Sequence, residues 1–179
     1  IGGDECPKVR WEKCPRCQAR IRQLGLRDKD GYTAEHYLQG YVTDRIGKYL
    51  AERGRRIIGW DEILEGQAPS DAIVMSWRGS AGGIKAAKLG HDVIMTPNSH
   101  FYFDYYQSPD ADAEPFGIGG CVTIDKVYSF DPMADLTPGQ QAHILGVQAN
   151  LWTEYIASDD HLEYMLLPRL AALSEVQWC

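Results

Sequence analysis

No stretch of this 179-residue chain approaches the roughly 20 consecutive apolar residues that a membrane-spanning helix requires. Positive charge is scarce: 18 Lys and Arg face 25 Asp and Glu, for a net charge of −7. That balance argues against nucleic acid and against an anionic membrane surface as partners. No internal repeat and no low-complexity tract is visible, which argues against an array of short repeated units. The first residue is Ile rather than Met, and no leader peptide is visible in the given residues, which says little about the longer chain. Ile1 falls inside an apolar, strand-like motif, and Cys179 follows directly on an amphipathic segment. The expectation is an internal or C-terminal piece of a longer chain.

What is present is ordinary for a folded domain. The composition is 44% hydrophobic and 24% charged, and the length suits one domain. Short apolar runs alternate with helical segments. Strands are expected at 57–59, 73–76, 91–96 and 144–149, and helices at 12–24, 32–53, 80–89 and 161–176. In the second helix Thr33 reads as the N-cap and Gly54 as the stop, with Tyr37, Tyr41, Ile46 and Leu50 near helical spacing. Segment 97–107 is aromatic and irregular, and 108–120 reads as a long loop. The 127–132 segment continues that excursion. Strands alternating with helices imply an α/β fold with a parallel sheet. Long polar and aromatic loops after strand ends are where a (β/α)8 barrel keeps its site. A full barrel needs about 250 residues, so the expected fold is a partial TIM barrel, with residues 1–179 a fragment of one catalytic barrel domain.

Five segments share a pattern: an apolar run ends in acids or in an aromatic residue with an acid nearby. They are Ile1-Gly2-Gly3-Asp4-Glu5, Ile57-Ile58-Gly59-Trp60-Asp61-Glu62, Ile73-Val74-Met75-Ser76-Trp77, Phe101-Tyr102-Phe103-Asp104 and the run from Ile144 to Trp152-Thr153-Glu154. Acids and flat rings gathered at strand ends describe a carbohydrate site. Adjacent carboxylates such as Asp4 and Glu5 repel, so one is expected to hold its proton more tightly, as a general acid must. Most Asp-Glu pairs are solvated surface residues; here Gly2-Gly3 and the preceding apolar residue put the pair at a strand end. The faces of Trp60, Trp77 and Trp152 match the apolar C–H faces of sugar rings. A single Trp of this kind belongs more often to a core, but three at matching strand ends make that pattern harder to reach by accident. Tyr102 and Asp104 are two residues apart, as are Trp152 and Glu154, so each pair faces one side of an extended segment.

Cys6, Cys14 and Cys17 cluster, with Cys14-Pro15-Arg16-Cys17 forming a C-x-x-C. Three readings stand open: a zinc set completed by His36, a disulfide in an exported protein, or thiols that only decorate a loop.

Taken together and in this order, the five motifs resemble glycoside hydrolase family 20, the β-N-acetylhexosaminidases. The resemblance spans essentially the whole chain, from the family's fourth barrel strand to its last helix. It implies hydrolysis of terminal N-acetyl-β-hexosamine from glycans, with no cofactor, by substrate-assisted catalysis. In that scheme the 2-acetamido oxygen attacks the anomeric carbon and water opens the resulting oxazolinium ion, an exception to the two-carboxylate scheme. The resemblance makes Glu5 the general acid and base, and Asp4 the group that orients the acetamide. It makes Tyr102 the donor to the acetamide oxygen and Trp60, Trp77 and Trp152 an aromatic box. Asp104 and Glu154 would bind the hydroxyls at positions 6 and 4. It further implies periplasmic or extracellular location. The family's sugar-gripping Arg and the His before the Gly-Gly-Asp-Glu run are not in this chain, so the fragment is expected to be inactive alone. An open half-barrel also leaves strand edges unpaired, so self-association or pairing with the missing barrel half is expected. The competing expectations are a non-catalytic carbohydrate-binding module, an interaction domain organised by the cysteines, and a retaining glycosidase with its own nucleophile.

Overall fold

The computed structural model describes residues 1–178. The polar stretch after Glu5 folds as a helical hairpin, α1 (Val9–Lys13) and α2 (Pro15–Leu24), rather than as one helix across 12–24. Pro15 explains the break, since it lacks an N–H and suits only the first turn of a helix. Gly25, in the left-handed conformation, stops α2. Helix α3 (Ala34–Ala51) starts at Thr33 as expected, through a capping box closed by the His36 side chain.

The buried face of α3 differs from the one that spacing of large residues suggested. It carries Glu35, Leu38, Gly40, Thr43 and Gly47, while Ile46 is exposed. Small residues decide this. A Cβ at Gly40 would lie 2.6 Å from the Gln67 backbone nitrogen, and one at Gly47 would lie 2.8 Å from Pro69. Close approach of the chain to the helix, not side-chain bulk, selects that face.

The sheet is parallel throughout. Its strands are β1 (Ile58–Trp60), β2 (Ile73–Ser76), β3 (Val93–Met95) and β4 (Ile144–Val147), in the spatial order of the sequence. Helix α4 (Ala81–Lys88) crosses between β2 and β3. Sequential order without reversal is the winding of a barrel rather than of a doubly wound sheet. The Ile1–Gly3 segment extends the ladder beyond β1: the Ile1 amino group donates to the Ile58 carbonyl (2.9 Å) and the Trp60 N–H donates to the Gly2 carbonyl (3.0 Å).

Register explains where the core sits. Ser76 pairs with Met95 and Met95 with Val147, all three buried toward the helices. Val74 and Val93, also paired and fully buried, join Phe101, Phe103, Val122 and Val127 in the same cluster. The adjacent row, Trp60–Met75–Ile94–Gly146, lies on the opposite face. Trp60, Met75 and Ile94 are only half-buried there.

The excursion between β3 and β4 is more ordered than its composition suggested. It holds α5 (Asn98–Phe101), α6 (Ile124–Tyr128) and α7 (Pro138–Gln141). Thr123 caps α6 by accepting the Lys126 N–H, and Thr137 with Gln140 forms a capping box on α7. The C-terminal helix is in fact two, α8 (Asp159–Leu166) and α9 (Arg169–Trp178), separated at Leu167-Pro168.

Candidate active site

Gly2 and Gly3 set the direction of the first acidic pair. Both have positive φ (70° and 103°), and a Cβ on Gly3 would stand 2.6 Å from the Ile63 side chain. Only glycine fits both constraints. Glu5 itself has φ 45°, a left-handed conformation rare for a side chain of its kind. Such strain persists when neighbours enforce it, and it concentrates at functional sites. Here the Gln39 amide donates to the Gly3 carbonyl (2.7 Å), and Lys8 Nζ donates to Gln39 Oε1 (2.6 Å) and to the Cys6 carbonyl. The acid-bearing segment is thereby tied to α3, with Asp4 and Glu5 themselves exposed.

Trp77 is held from behind. Its indole N–H donates to both carboxylate oxygens of Glu62, at 3.1 and 2.9 Å. Asp61 accepts the backbone N–H groups of Trp77 (3.0 Å) and Arg78 (3.2 Å). Arg78 reaches Asp61 at 2.6 Å and Glu65 at 2.7 Å. Asp61 and Glu62 are buried, and burial pushes the Glu62 carboxyl upward from its ordinary range. They do not line the cavity that Trp77 walls; they fix its indole.

Segment 101–104 continues the ladder past β3. The Asn150 N–H donates to the Phe101 carbonyl (2.8 Å) and the Phe103 N–H to the Asn150 carbonyl (2.7 Å). Tyr102 therefore comes beside Trp152, with ring centroids 6.4 Å apart. Trp77 stacks on Tyr102 at 6.2 Å and 19°, and Trp60 meets Trp152 at 6.2 Å. Burial raises the Tyr102 hydroxyl to about 12, so it remains a proton donor at neutral pH. Burial also pushes Asp104 up to about 6. Its Oδ1 is buried with no hydrogen-bond partner among the described residues. An orphaned buried acceptor beside a cavity is a place for a ligand hydroxyl.

These groups converge. One open cavity of about 360 Å³ is lined by Asp4, Glu5, Trp60, Trp77, Tyr102, Asp104, Trp152 and Glu154, together with Tyr105 and Ile118. All eight residues singled out in the sequence share it, and the volume is that of a small-ligand site. A larger cavity of about 670 Å³, between β4 and the end of α9, contains none of them. Tyr105 and Ile118 were not anticipated. Tyr105 sits in an aromatic run whose alternation is irregular, and Ile118 arrives from a loop that carries no periodic signal.

Arg169 was also missed, and it holds the loop in place. Wholly buried, it donates to the carbonyls of Phe103 (2.7 Å), Tyr105 (2.9 Å), Val122 (3.0 Å) and Met165. It forms no ion pair among the described residues, and burial lowers it to about 10.

The zinc set that Cys6, Cys14, Cys17 and His36 left open is not assembled. Among the described residues no three His, Cys, Asp or Glu side chains converge as metal ligands. His36 Nδ1 is engaged with Thr33 in the α3 cap, and its Nε2 faces Glu65. Cys6, Cys14 and Cys17 are free thiols, so the disulfide is not formed either.

Comparison with known proteins agrees with this geometry. The glycosyl hydrolase family 20 catalytic domain matches residues 1–179. A beta-hexosaminidase of Porphyromonas gingivalis is 48% identical over 180 residues, covering 99% of this chain and 22% of that protein. One from Vibrio furnissii is 32% identical, covering 97% of this chain and 28% of that protein. Among solved structures, a GH20 exo beta-N-acetylglucosaminidase of Vibrio harveyi in complex with N-acetylglucosamine superposes with a TM-score of 0.83 at 30% identity. It covers 99% of this chain and 27% of that chain. A beta-N-acetylhexosaminidase of Bacteroides fragilis gives 0.76 at 27% identity, covering 35% of that chain. The chain thus spans roughly a quarter of the length of these relatives, and its parallel sheet is part of the TIM barrel those enzymes share. On the match along its whole length, the chain belongs to glycosyl hydrolase family 20 and forms part of that family's catalytic domain.

Proposed function

We propose that the protein built with this chain hydrolyses terminal, non-reducing N-acetyl-β-hexosamine residues from glycans or glycoconjugates, with retention and through an oxazolinium intermediate. The observation that carries this reading is the convergence of eight acids and aromatics, from five successive strand ends, on one cavity. Glu5 is the general acid that protonates the leaving oxygen, and then the base that activates water. Asp4 orients the acetamide and balances the charge that develops on its nitrogen. The Tyr102 hydroxyl donates to the acetamide oxygen. Trp60, Trp77 and Trp152 wall the arm beneath the ring, which raises the effective concentration of the intramolecular nucleophile and excludes water from the intermediate. Asp104 and Glu154 bind the hydroxyls at positions 6 and 4.

Residues 1–179 serve in this reading as one fragment of a single catalytic barrel. The sheet is completed by the other barrel half or by self-association, because an open sheet edge is a template for pairing. Export to the periplasm or beyond follows from the same reading, since polymeric glycans are met there.

Hydrolysis of an aryl N-acetyl-β-glucosaminide beside the matching aryl β-glucoside tests the proposal. Cleavage of the acetamido substrate alone is the expected result. Equal cleavage of both would indicate an enzyme nucleophile instead. Saturable binding of N-acetylglucosamine without turnover in the complete barrel would mark a binding module.

A further inference from the structure

The C-x-x-C pair takes no part in the site just described, and its placement is specific. Cys14 occupies the N-cap of the ten-residue helix α2, with Pro15 at the first helical position and Cys17 at the third. The N-cap side chain stands where the second and third N–H groups of a helix point, a place usually held by a hydroxyl or carboxylate. Here those N–H groups belong to Arg16 and Cys17. Both thiols are partly exposed and unpaired. A spacing of three puts them on one side of a turn, with Cβ atoms about 5–6 Å apart. A disulfide needs about 3.8 Å, so a modest shift would join them.

The surroundings are those of a reactive thiol. Residues 8–22 contain Lys8, Arg10, Lys13, Arg16, Arg20 and Arg22 against Glu12 alone, in a chain of net charge −7. No acid lies in the first turn of α2. The backbone N–H and thiol of Cys17, then the backbone N–H of Arg16, draw the Cys14 thiol below its ordinary range. The Cys17 thiol, which faces the Cys14 sulfur, is raised. The helix is fixed in position: Gln18 Nε2 donates to the Trp11 carbonyl (3.1 Å) and to Glu35 Oε1 (2.8 Å).

We propose that Cys14 and Cys17 form a thiol–disulfide exchange site, with Cys14 the attacking sulfur, Cys17 the resolving one, and a small exposed disulfide the substrate. The Cys14 thiolate attacks one sulfur of the substrate. The substrate S–S bond breaks, and the first thiolate leaves and takes up a proton from water. Cys17 gives its proton to water and attacks the Cys14 sulfur, expelling the second thiolate, which is protonated in turn. Two protein thiols are oxidised and one disulfide is reduced to two thiols. A ring of this size constrains the unfolded chain little, which suits reversible exchange rather than a permanent staple. Two sulfurs with no third ligand nearby among the described residues do not make a metal site.

The test uses the intact protein, isolated natively. After reduction it is equilibrated with oxidised and reduced glutathione in graded ratios, quenched in acid, alkylated and digested. The expected product is a Cys14–Cys17 disulfide, with Cys6 and Cys121 alkylated. Iodoacetamide at pH 7 should label Cys14 about tenfold faster than Cys17. Cys17→Ser should accumulate a mixed disulfide with glutathione at Cys14, and Cys14→Ser should accumulate none at Cys17. Equal labelling rates in the wild-type protein, oxidation that pairs Cys6 instead, or equal trapping by both variants would each overturn the proposal.

Discussion

Glu62 receives the indole N–H of Trp77 on both of its carboxylate oxygens. The last residue of the Trp60-Asp61-Glu62 run thus acts at a distance of fifteen positions, on the ring that walls the cavity. A hydrogen bond to a charged group contributes about 1.5–3 kcal/mol. Glu62→Ala should therefore raise KM for an aryl N-acetyl-β-glucosaminide by about tenfold to a hundredfold. Glu62→Gln keeps an acceptor and should lose less. Steady-state kinetics of the two variants, read beside the Trp emission spectrum, check the order.

In the role proposed for Glu5, Glu5→Gln removes the proton donor and leaves the shape of the cavity. General acid catalysis contributes about a hundredfold to ten-thousandfold. That loss should appear in full for substrates with poor leaving groups and largely vanish for nitrophenyl-type ones. A Brønsted series of aryl leaving groups measures it; uniform losses across the series would remove Glu5 from the acid role.

Asp104 titrates near 6 in the folded chain, against an ordinary 3.8. Between those values the folded state binds more protons than the unfolded one, so stability from this group falls as pH rises from about 4 to 6. Asp104→Asn should raise Tm at pH 7, leave it nearly unchanged at pH 4, and weaken sugar binding. Thermal melts across that range test the sign, and a Tm advantage confined to acid would refute it.

Arg169 donates to four separate carbonyls from complete burial. Arg169→Leu leaves those oxygens without partners, at about 1–3 kcal/mol each where no water reaches them. Arg169→Lys cannot span them, having one nitrogen where the guanidinium has a fork. Both variants should lower the urea midpoint strongly, with Leu and Lys similarly affected.

Gly3→Ala forces a Cβ to within 2.6 Å of Ile63 at a φ of 103°. Strain of this kind costs about 1–3 kcal/mol, and the acid pair follows the displaced backbone. Turnover should fall more than stability does. Trimming Ile63 to Val or Ala should recover only the steric share.

The convergence of the candidate residues was legible because they sit at strand ends. Trp60, Trp77 and Trp152 each close an apolar run, Tyr102 lies in one that Asp104 ends, and a parallel sheet in sequential order brings such ends to one rim. Sheet and helices were legible for the same reason: apolar periodicity marks them. What was hidden is set by other signals. The short helices α6 and α7 are fixed by Thr123 and by Thr137 with Gln140, not by periodicity. The face of α3 is chosen by Gly40 and Gly47, whose role is to be small. Arg169, one charged residue in an amphipathic segment, reads as solvent-exposed until its carbonyl partners from positions 103 to 122 are brought beside it.

Arg169 grips the loop that bears Tyr102 and Asp104 through three main-chain oxygens, and its guanidinium lies over the Phe103 ring at 4.8 Å. A carbonyl is the same on every amino acid. The anchor therefore recognises chiefly the path of the loop, and within 107–120 the exposed positions 109–113 can be rewritten without loosening it. Of the ten residues lining the cavity, Ile118 alone comes from that stretch. A new preference in what the cavity admits can thus be drafted on this loop while the residues beneath it are left untouched.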